Sequence, residues 1–273
     1  MTRALIHLGF HKTGTSSAQH FLADNRHILT PHLQIVLMSV LGQADKAARR
    51  FSISRDAASL VEFAGAFHAS IARAALDPRQ PLLLSCEGLA GNIPGRAGVH
   101  DYSAVVELAP IIADVLGDQG FGGAALHFSL RHPDAWLNSA YRHNLRSTKL
   151  DMDYETYAET FRRSADLTAI VDRVRVACPG NPVTTSTLEQ SQTARFGPAS
   201  PLLDPFDLAE ATLARLDRPK FVNPAMPDQL IEQFRDLNRG PLIAEALKAA
   251  KAKLLAGMGA GPDEKDGQRG TTE

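Results

Sequence analysis

Cysteine is scarce, charge of one sign has no excess, and long apolar runs are missing; each shortage removes a class of protein. Cys86 and Cys178 are the only two cysteines in 273 residues, and they are far apart. That spacing excludes a disulfide framework and a thiolate zinc site, and it predicts a chain suited to a reducing cytosol. The ten histidines show no H-x-x-H or H-E-x-x-H spacing, so no metal is expected. Lys and Arg total 29 against 30 Asp and Glu, whereas a general nucleic-acid binder carries a strong basic excess; nucleic acid is not expected as a partner. The first apolar run, 4–8, is short and broken by His7, and no other run approaches the ~20 residues of a spanning helix. The expectation is a soluble, cytoplasmic protein with no membrane span.

What is present is apolar material, 44% of the chain, enough to fill one large domain or at most two. Short apolar segments at 4–10, 33–38, 81–89 and 124–133, and a more polar one at 182–190, read as strands. Between and after them, helical periodicity is found at 13–24, 43–50, 56–76, 101–116, 134–147, 205–216, 227–238 and 241–256. Alternation of this kind predicts an α/β fold, a single domain over residues 1–256 with a central, mainly parallel sheet flanked by helices. The tail 257–273, GMGAGPDEKDGQRGTTE, has almost no apolar residue and is expected to be disordered.

Chemistry concentrates in two stretches. The first, HLGFHKTGTSSAQHFL (7–22), has the two glycines of a phosphate-binding loop, Gly9 and Gly14, and Ser16 where such a loop ends. Its lysine is displaced: Thr15 occupies the usual lysine position and Lys12 lies between the glycines. A strand, a glycine-bearing loop and a helix start gather backbone N–H groups and the positive helix end at one point, which suits phosphate or sulfate. Thr13, Thr15, Ser16 and Ser17 add hydroxyls, and Lys12 adds a point charge. The second stretch, SLRHPDAWLNSAYRHNLR (129–146), places Arg131 at a strand end and Ser139 in the second turn of the following helix, where both can converge on one phosphate.

Together these stretches resemble the sulfotransferases that use 3′-phosphoadenosine 5′-phosphosulfate (PAPS). The family's [PH]-K-x-G-T-[TS] is matched by His11-Lys12-Thr13-Gly14-Thr15-Ser16, and R-x-P-x(5)-S-x-Y by Arg131-His132-Pro133 through Ser139-Ala140-Tyr141. The resemblance is clearest over 4–24, 82–90 and 126–146. It implies the sulfotransferase variant of the P-loop NTPase fold, a PAPS-dependent enzyme and no metal. Lys12, Thr13, Gly14, Thr15 and Ser16 would hold the 5′-phosphosulfate, and Arg131 and Ser139 the 3′-phosphate. Lys12 would also stabilise charge on the departing phosphate. The runner-up readings are a small-molecule kinase using ATP–Mg and a non-catalytic nucleotide-binding relative. The chain departs from the family at Ser17, where many members carry an aromatic that stacks on adenine; another residue, such as Phe21 or Trp136, would have to pack the base, or adenine would be held more loosely. No glycine- and lysine-rich C-terminal loop is present, and Arg239-Gly240 is the nearest substitute.

Glu87 closes the apolar strand LLLSCE at the sheet's carboxyl edge and is the expected general base, with His11, His20 and His132 as alternatives. A purely organising pairing of Glu87 with Lys12 or Arg131 is the competing reading. The acceptor is expected to be a small molecule, a lipid headgroup or a carbohydrate, held by the insertions 40–80 and 147–180. Arg142, His143, Arg146 and Lys149 read as a solvated helix face rather than a basic rim.

Overall fold

A computed structural model describes residues 3–219 and 226–259. Its centre is a sheet of five parallel strands, β1 (Ala4–His7), β2 (Gln34–Val36), β3 (Leu82–Ser85), β4 (Ala125–Leu130) and β5 (Val183–Thr187), in the order β2-β3-β1-β4-β5. Strands β1, β3 and β4 are buried along their whole length, as a parallel sheet covered on both faces requires. The expected α/β architecture is therefore what the chain adopts.

Alternation along the strands divides the core in two. Ala4, Ile6, Leu8 and Phe10 point to one face together with Leu82, Leu84, Leu126 and Phe128, while Leu5, Leu83 and Ala125 point to the other. The first face is covered by α3 (Met38–Ser54), α4 (Ala57–Ala74), α5 (Val105–Leu116), α6 (Pro133–Ser147), α7 (Tyr154–Phe161), α8 (Leu167–Ala177) and α12 (Gln229–Arg239). The second is covered by α1 (Thr15–Asp24), the single turn α2 (Arg26–Leu29), α10 (Ser200–Leu203) and the segment that follows it. The remaining helices are the turns α9 (Leu188–Ser191) and α11 (Glu210–Leu213), and α13 (Ala244–Gly259). Among the described residues no helix is long and apolar enough to cross a membrane, and Cys86 and Cys178 are buried free thiols.

Several boundaries differ from the sequence reading for identifiable reasons. Strand β3 stops at Ser85, and Glu87 opens a 3₁₀ turn, Glu87–Ala90, instead of ending the strand. Helices α7 and α8 lie in the 147–180 insertion, each started by an aspartate cap: Asp153 accepts from the Thr156 amide (2.8 Å) and Asp166 from that of Ala169 (3.0 Å). The expected helix at 205–216 is broken into short turns, with Pro205 in the first of them and Asp207 left-handed (φ 50°). The last helix runs on to Gly259, past the expected start of the tail, whose residues 260–273 lie outside those described.

The carboxyl end of α6 is closed by side chains from α12 and α13. The Lys251 ammonium on α13, 4% exposed, donates to the carbonyls of Leu145 (2.7 Å) and Thr148 (2.6 Å), and the Asn238 amide on α12 donates to Leu145 (3.1 Å). Burial lowers the pKa of that ammonium to about 8. The last carbonyls of α6 are thereby satisfied and its negative end is partly neutralised.

On the second face of the sheet, a polar seam crosses the strands. His7 bonds Ser85 Oγ through Nδ1 and Ser129 Oγ through Nε2 (both 2.8 Å), and His127 bonds Thr184 and Ser186 hydroxyls (both 2.9 Å). Burial, joined for His7 by the neighbouring His127, lowers the pKa of His7 to about 3 and that of His127 to about 4. Both rings are neutral when folded and titrate near 6.5 when unfolded, so between those values the unfolded chain binds more protons. The stabilisation is complete above about pH 6.5 and declines as pH falls toward 4, by roughly 1 kcal/mol per pH unit for each ring. Thermal denaturation from pH 7.5 to 4.5 should show the midpoint falling steadily below pH 6.5; a flat profile would contradict this account.

Candidate functional site

The strand order makes a crevice. Neighbouring strands β1 and β4 send their next helices to opposite faces, α1 to one and α6 to the other, and the connections part at the carboxyl edge of the sheet. A cavity of about 1130 Å³ opens there. Its walls are formed by residues 11–12 and 14–17, one face of α6, and Leu188, Pro198 and Pro219.

The loop between β1 and α1 is shaped by its backbone. Lys12 and Gly14 both have positive φ (70° and 92°), which curls the chain so that α1 begins at Thr15. No side chain caps α1, so the first-turn N–H groups at Thr15, Ser16 and Ser17 stay free for a ligand. Gly9 is required by close approach: a Cβ there would stand 2.4 Å from His7 Nε2 and 2.7 Å from Thr15 Cγ2. The curve is pinned by three contacts to its carbonyls. Thr13 Oγ1 donates to Phe10 O (2.6 Å), Trp136 Nε1 to His11 O (3.0 Å) and Arg131 Nη1 to Lys12 O (3.1 Å).

Of the residues expected to bind the donor, Lys12, Gly14, Thr15, Ser16, Arg131 and Ser139 all line this cavity. Thr13 does not; its hydroxyl is buried and holds the loop. Burial, reinforced by Arg146 and then Arg131, lowers the Lys12 pKa. Burial likewise lowers that of Arg131, whose Nε is buried with no protein partner. Cations held out of water with donors unpaired call for an anion.

Glu87 also lines the cavity. Its Oε2 accepts from Gln19 Nε2 (2.6 Å), and among the described residues it joins no ion pair, so the pairing with Lys12 or Arg131 is not formed. Gln19, on α1, also reaches Ser85 Oγ (3.4 Å) and so ties this carboxylate to the polar seam beneath. The alternative bases fare differently. His11 lines the cavity, whereas His20 is exposed with its ring on Ser16 O (2.6 Å), and the exposed His132 is held by its amide on Glu189 (3.2 Å).

Four expectations need correction. Phe21 and Trp136 are buried in the two cores and do not line the cavity, whereas Tyr154, Pro198 and Pro219 do. Arg239 is exposed, with its guanidinium 4.0 Å from Asp236 and away from the cavity. The insertions 40–80 and 147–180 contribute only Tyr154, because α3, α4 and α8 pack on the core instead. Finally, Arg142, His143 and Arg146 do not form a solvated face: they line the cavity, and only Lys149 is exposed. Their spacing of one and three residues repeats that of Ala135, Asn138 and Ser139, so one stripe of α6 faces inward from its first turn to its last. A helix stripe facing a cavity and one facing water carry the same polar residues, which is why the sequence did not distinguish them.

No family model, curated protein or solved structure matches this chain.

Gly14 offers a direct test of the loop. A Cβ there would meet Leu188 Cδ1 at 2.8 Å on a backbone with φ 92°, whereas one at Gly42 on α3 would meet nothing within 4 Å. Gly14→Ala should cost on the order of 1–3 kcal/mol in thermal or urea denaturation. It should also weaken stabilisation by inorganic phosphate about tenfold or more, equivalent to ~1.4 kcal/mol of lost binding. Gly42→Ala, in the interior of a helix, should raise stability by up to ~1 kcal/mol and leave phosphate binding unchanged; equal behaviour of the two variants would remove the loop from the site.

Proposed function

We propose that this chain is a PAPS-dependent sulfotransferase, transferring a sulfuryl group to an acceptor hydroxyl or amine. The observation that carries the reading is the pairing, across one cavity, of the Lys12–Ser16 loop with Arg131 and Ser139. A nucleotide with anions at both its 5′ and 3′ ends needs two such stations; ATP needs one. The resemblance of these residues to two motifs of that family supports the same conclusion. So does the displaced lysine, since a single 5′-phosphate bearing a sulfate has no β,γ-phosphate bridge for a lysine after Gly14 to serve.

The fit rests on donors. Free first-turn amides, the Lys12 ammonium and the unpaired Arg131 Nε form a wall that offers hydrogen bonds to an anion. The bound donor would supply the activated sulfuryl group. The α1 amides and Lys12 would hold its 5′ end, and Arg131 with Ser139 its 3′-phosphate. In an in-line transfer the acceptor oxygen bonds to sulfur as the sulfur–oxygen bond to phosphate breaks, and the electron pair passes to the phosphate oxygen. Lys12 balances that growing charge, an interaction stronger in the transition state than before it. Glu87, held by Gln19, takes the acceptor proton.

Thermal shift distinguishes this donor from ATP. A ligand at a hundredfold excess over its Kd adds about 2.7 kcal/mol. Adenosine 3′,5′-bisphosphate should produce such a shift without metal; stabilisation by ATP–Mg and none by the bisphosphate would overturn the reading in favour of a kinase. Arg131→Ala should weaken binding of the bisphosphate markedly more than that of adenosine 5′-phosphate, because the loosened Lys12 carbonyl affects both ligands while the charge-assisted 3′-phosphate contact is lost with the first alone. Equal losses would give Arg131 another role.

With labelled PAPS and a mixture of hydroxyl acceptors, Lys12→Ala should lower kcat by on the order of 10²-fold or more. Glu87→Gln, which keeps the Gln19 contact region filled, should preserve donor binding and lower turnover roughly 10²–10⁴-fold. Near-normal turnover by Glu87→Gln would exclude Glu87 as the base.

A further inference from the structure

The cavity is larger than one nucleotide requires, since about 1130 Å³ exceeds the ~300–1000 Å³ typical of a site for a single small ligand. It also extends well beyond the donor stations. Arg146 lies seven residues after Ser139 on the same inward stripe of α6, which at 1.5 Å per residue is roughly 10 Å farther along the helix. Lys12 feels both Arg146 and Arg131 and lines the same cavity as each.

The far end is furnished with donors and few acceptors. Arg146 has no hydrogen bond or ion pair among the described residues, unlike Arg142, which is paired with Asp228 (2.6 Å). Behind it, the half-buried Arg96 donates to His143 Nε2 (2.9 Å), to Asn144 Oδ1 (3.2 Å) and to Ser147, and among the described residues it has no carboxylate partner. Because His143 Nε2 accepts, its hydrogen resides on Nδ1, which is buried with no partner. His11, 8% exposed, behaves in the same way. The Tyr102 hydroxyl oxygen accepts from the His11 amide (3.2 Å), and its single hydrogen faces His11 Nδ1 (3.2 Å). The ring hydrogen of His11 is then on Nε2, also buried and unpartnered. Burial and the surrounding cations keep both rings neutral, so they are donors and not bases. Lys251 and Asn238 occupy the last carbonyls of α6, which reduces the negative helix end that would otherwise repel an anion here.

We propose that His11, His143 and Arg146, backed by Arg96, form a second anion subsite that holds an oxyanion carried by the acceptor. The acceptor is thereby a hydroxyl or amine compound bearing a carboxylate, sulfate or phosphate. Its anionic group occupies the far end of the cavity, and its nucleophile reaches the space between Lys12 and Glu87. This assignment builds on the sulfotransferase reading but can be tested separately from it.

The probe is inorganic sulfate, titrated calorimetrically into the protein alone and into the protein saturated with adenosine 3′,5′-bisphosphate. With the bisphosphate bound, sulfate should occupy one saturable site. Arg146→Ala should weaken that site by at least about tenfold, the loss of one charge-assisted contact. Because Arg146 makes no hydrogen bond or ion pair among the described residues, the variant should keep the wild-type thermal midpoint. Bisphosphate affinity should stay within about threefold of wild type. Absence of a sulfate site in the saturated protein, or a sulfate affinity unchanged by Arg146→Ala, would overturn the subsite and leave the donor reading intact. If the bisphosphate does not bind, the donor reading fails; an Arg146-dependent sulfate site in the protein alone would still support the subsite, and an Arg146-independent one would refute it.

Discussion

Lys12, Arg96 and Arg131 are held partly out of water at one edge of the sheet, and burial pulls the pKa of each downward. Keeping cations there is unfavourable unless something compensates, and the protein supplies little. Of the carboxylates lining the cavity, Asp228 is taken by Arg142 and Asp134 by Arg162, and Glu87 is bonded to a neutral amide. The uncompensated positive charge suits the site to anions, and most of the other features of the edge serve to hold that charge in place.

The holding is done by elements that cannot move far. The loop carrying Lys12 is fixed by Thr13, Trp136 and Arg131 through its carbonyls, and Gly9 lets it lie directly over His7. Below it, the histidine–hydroxyl seam joins β3, β1, β4 and β5 side chain to side chain, and Gln19 extends the seam to Glu87. A neutral, fully bonded polar layer under a cationic site gives rigidity without adding further charge. The loop, the carboxylate and α6 are therefore positioned by one connected structure.

How much of this was legible in the sequence follows from how local each signal is. The β1–loop–α1 unit is written in one unbroken stretch, 4–24, and its glycines, hydroxyls and lysine are read directly. The strand alternation of Leu82–Ser85 and Ala125–Leu130 likewise fixes which face each side chain takes. The inward setting of His143 and Arg146 is not legible locally, because the other walls of the cavity, among them Leu188, Pro198, Pro219 and Asp228, are distant in sequence. Thr13 was placed with the ligand because its hydroxyl type suits an anion; only the fold reveals that Phe10 O takes it first. Gln19 gave no signal at all, since a glutamine on an amphipathic helix is ordinary until a carboxylate is brought beside it.

The most direct test of this account is the crystal structure of the protein with adenosine 3′,5′-bisphosphate. The account predicts the 5′-phosphate on the amides of Thr15, Ser16 and Ser17 with Lys12 beside it, and the 3′-phosphate within hydrogen-bond distance of Arg131 and Ser139. The stretch of cavity from Lys12 to Arg146 should remain free for a second molecule. A nucleotide bound with its 3′-phosphate in solvent, or with its 5′-phosphate away from the loop, would contradict it.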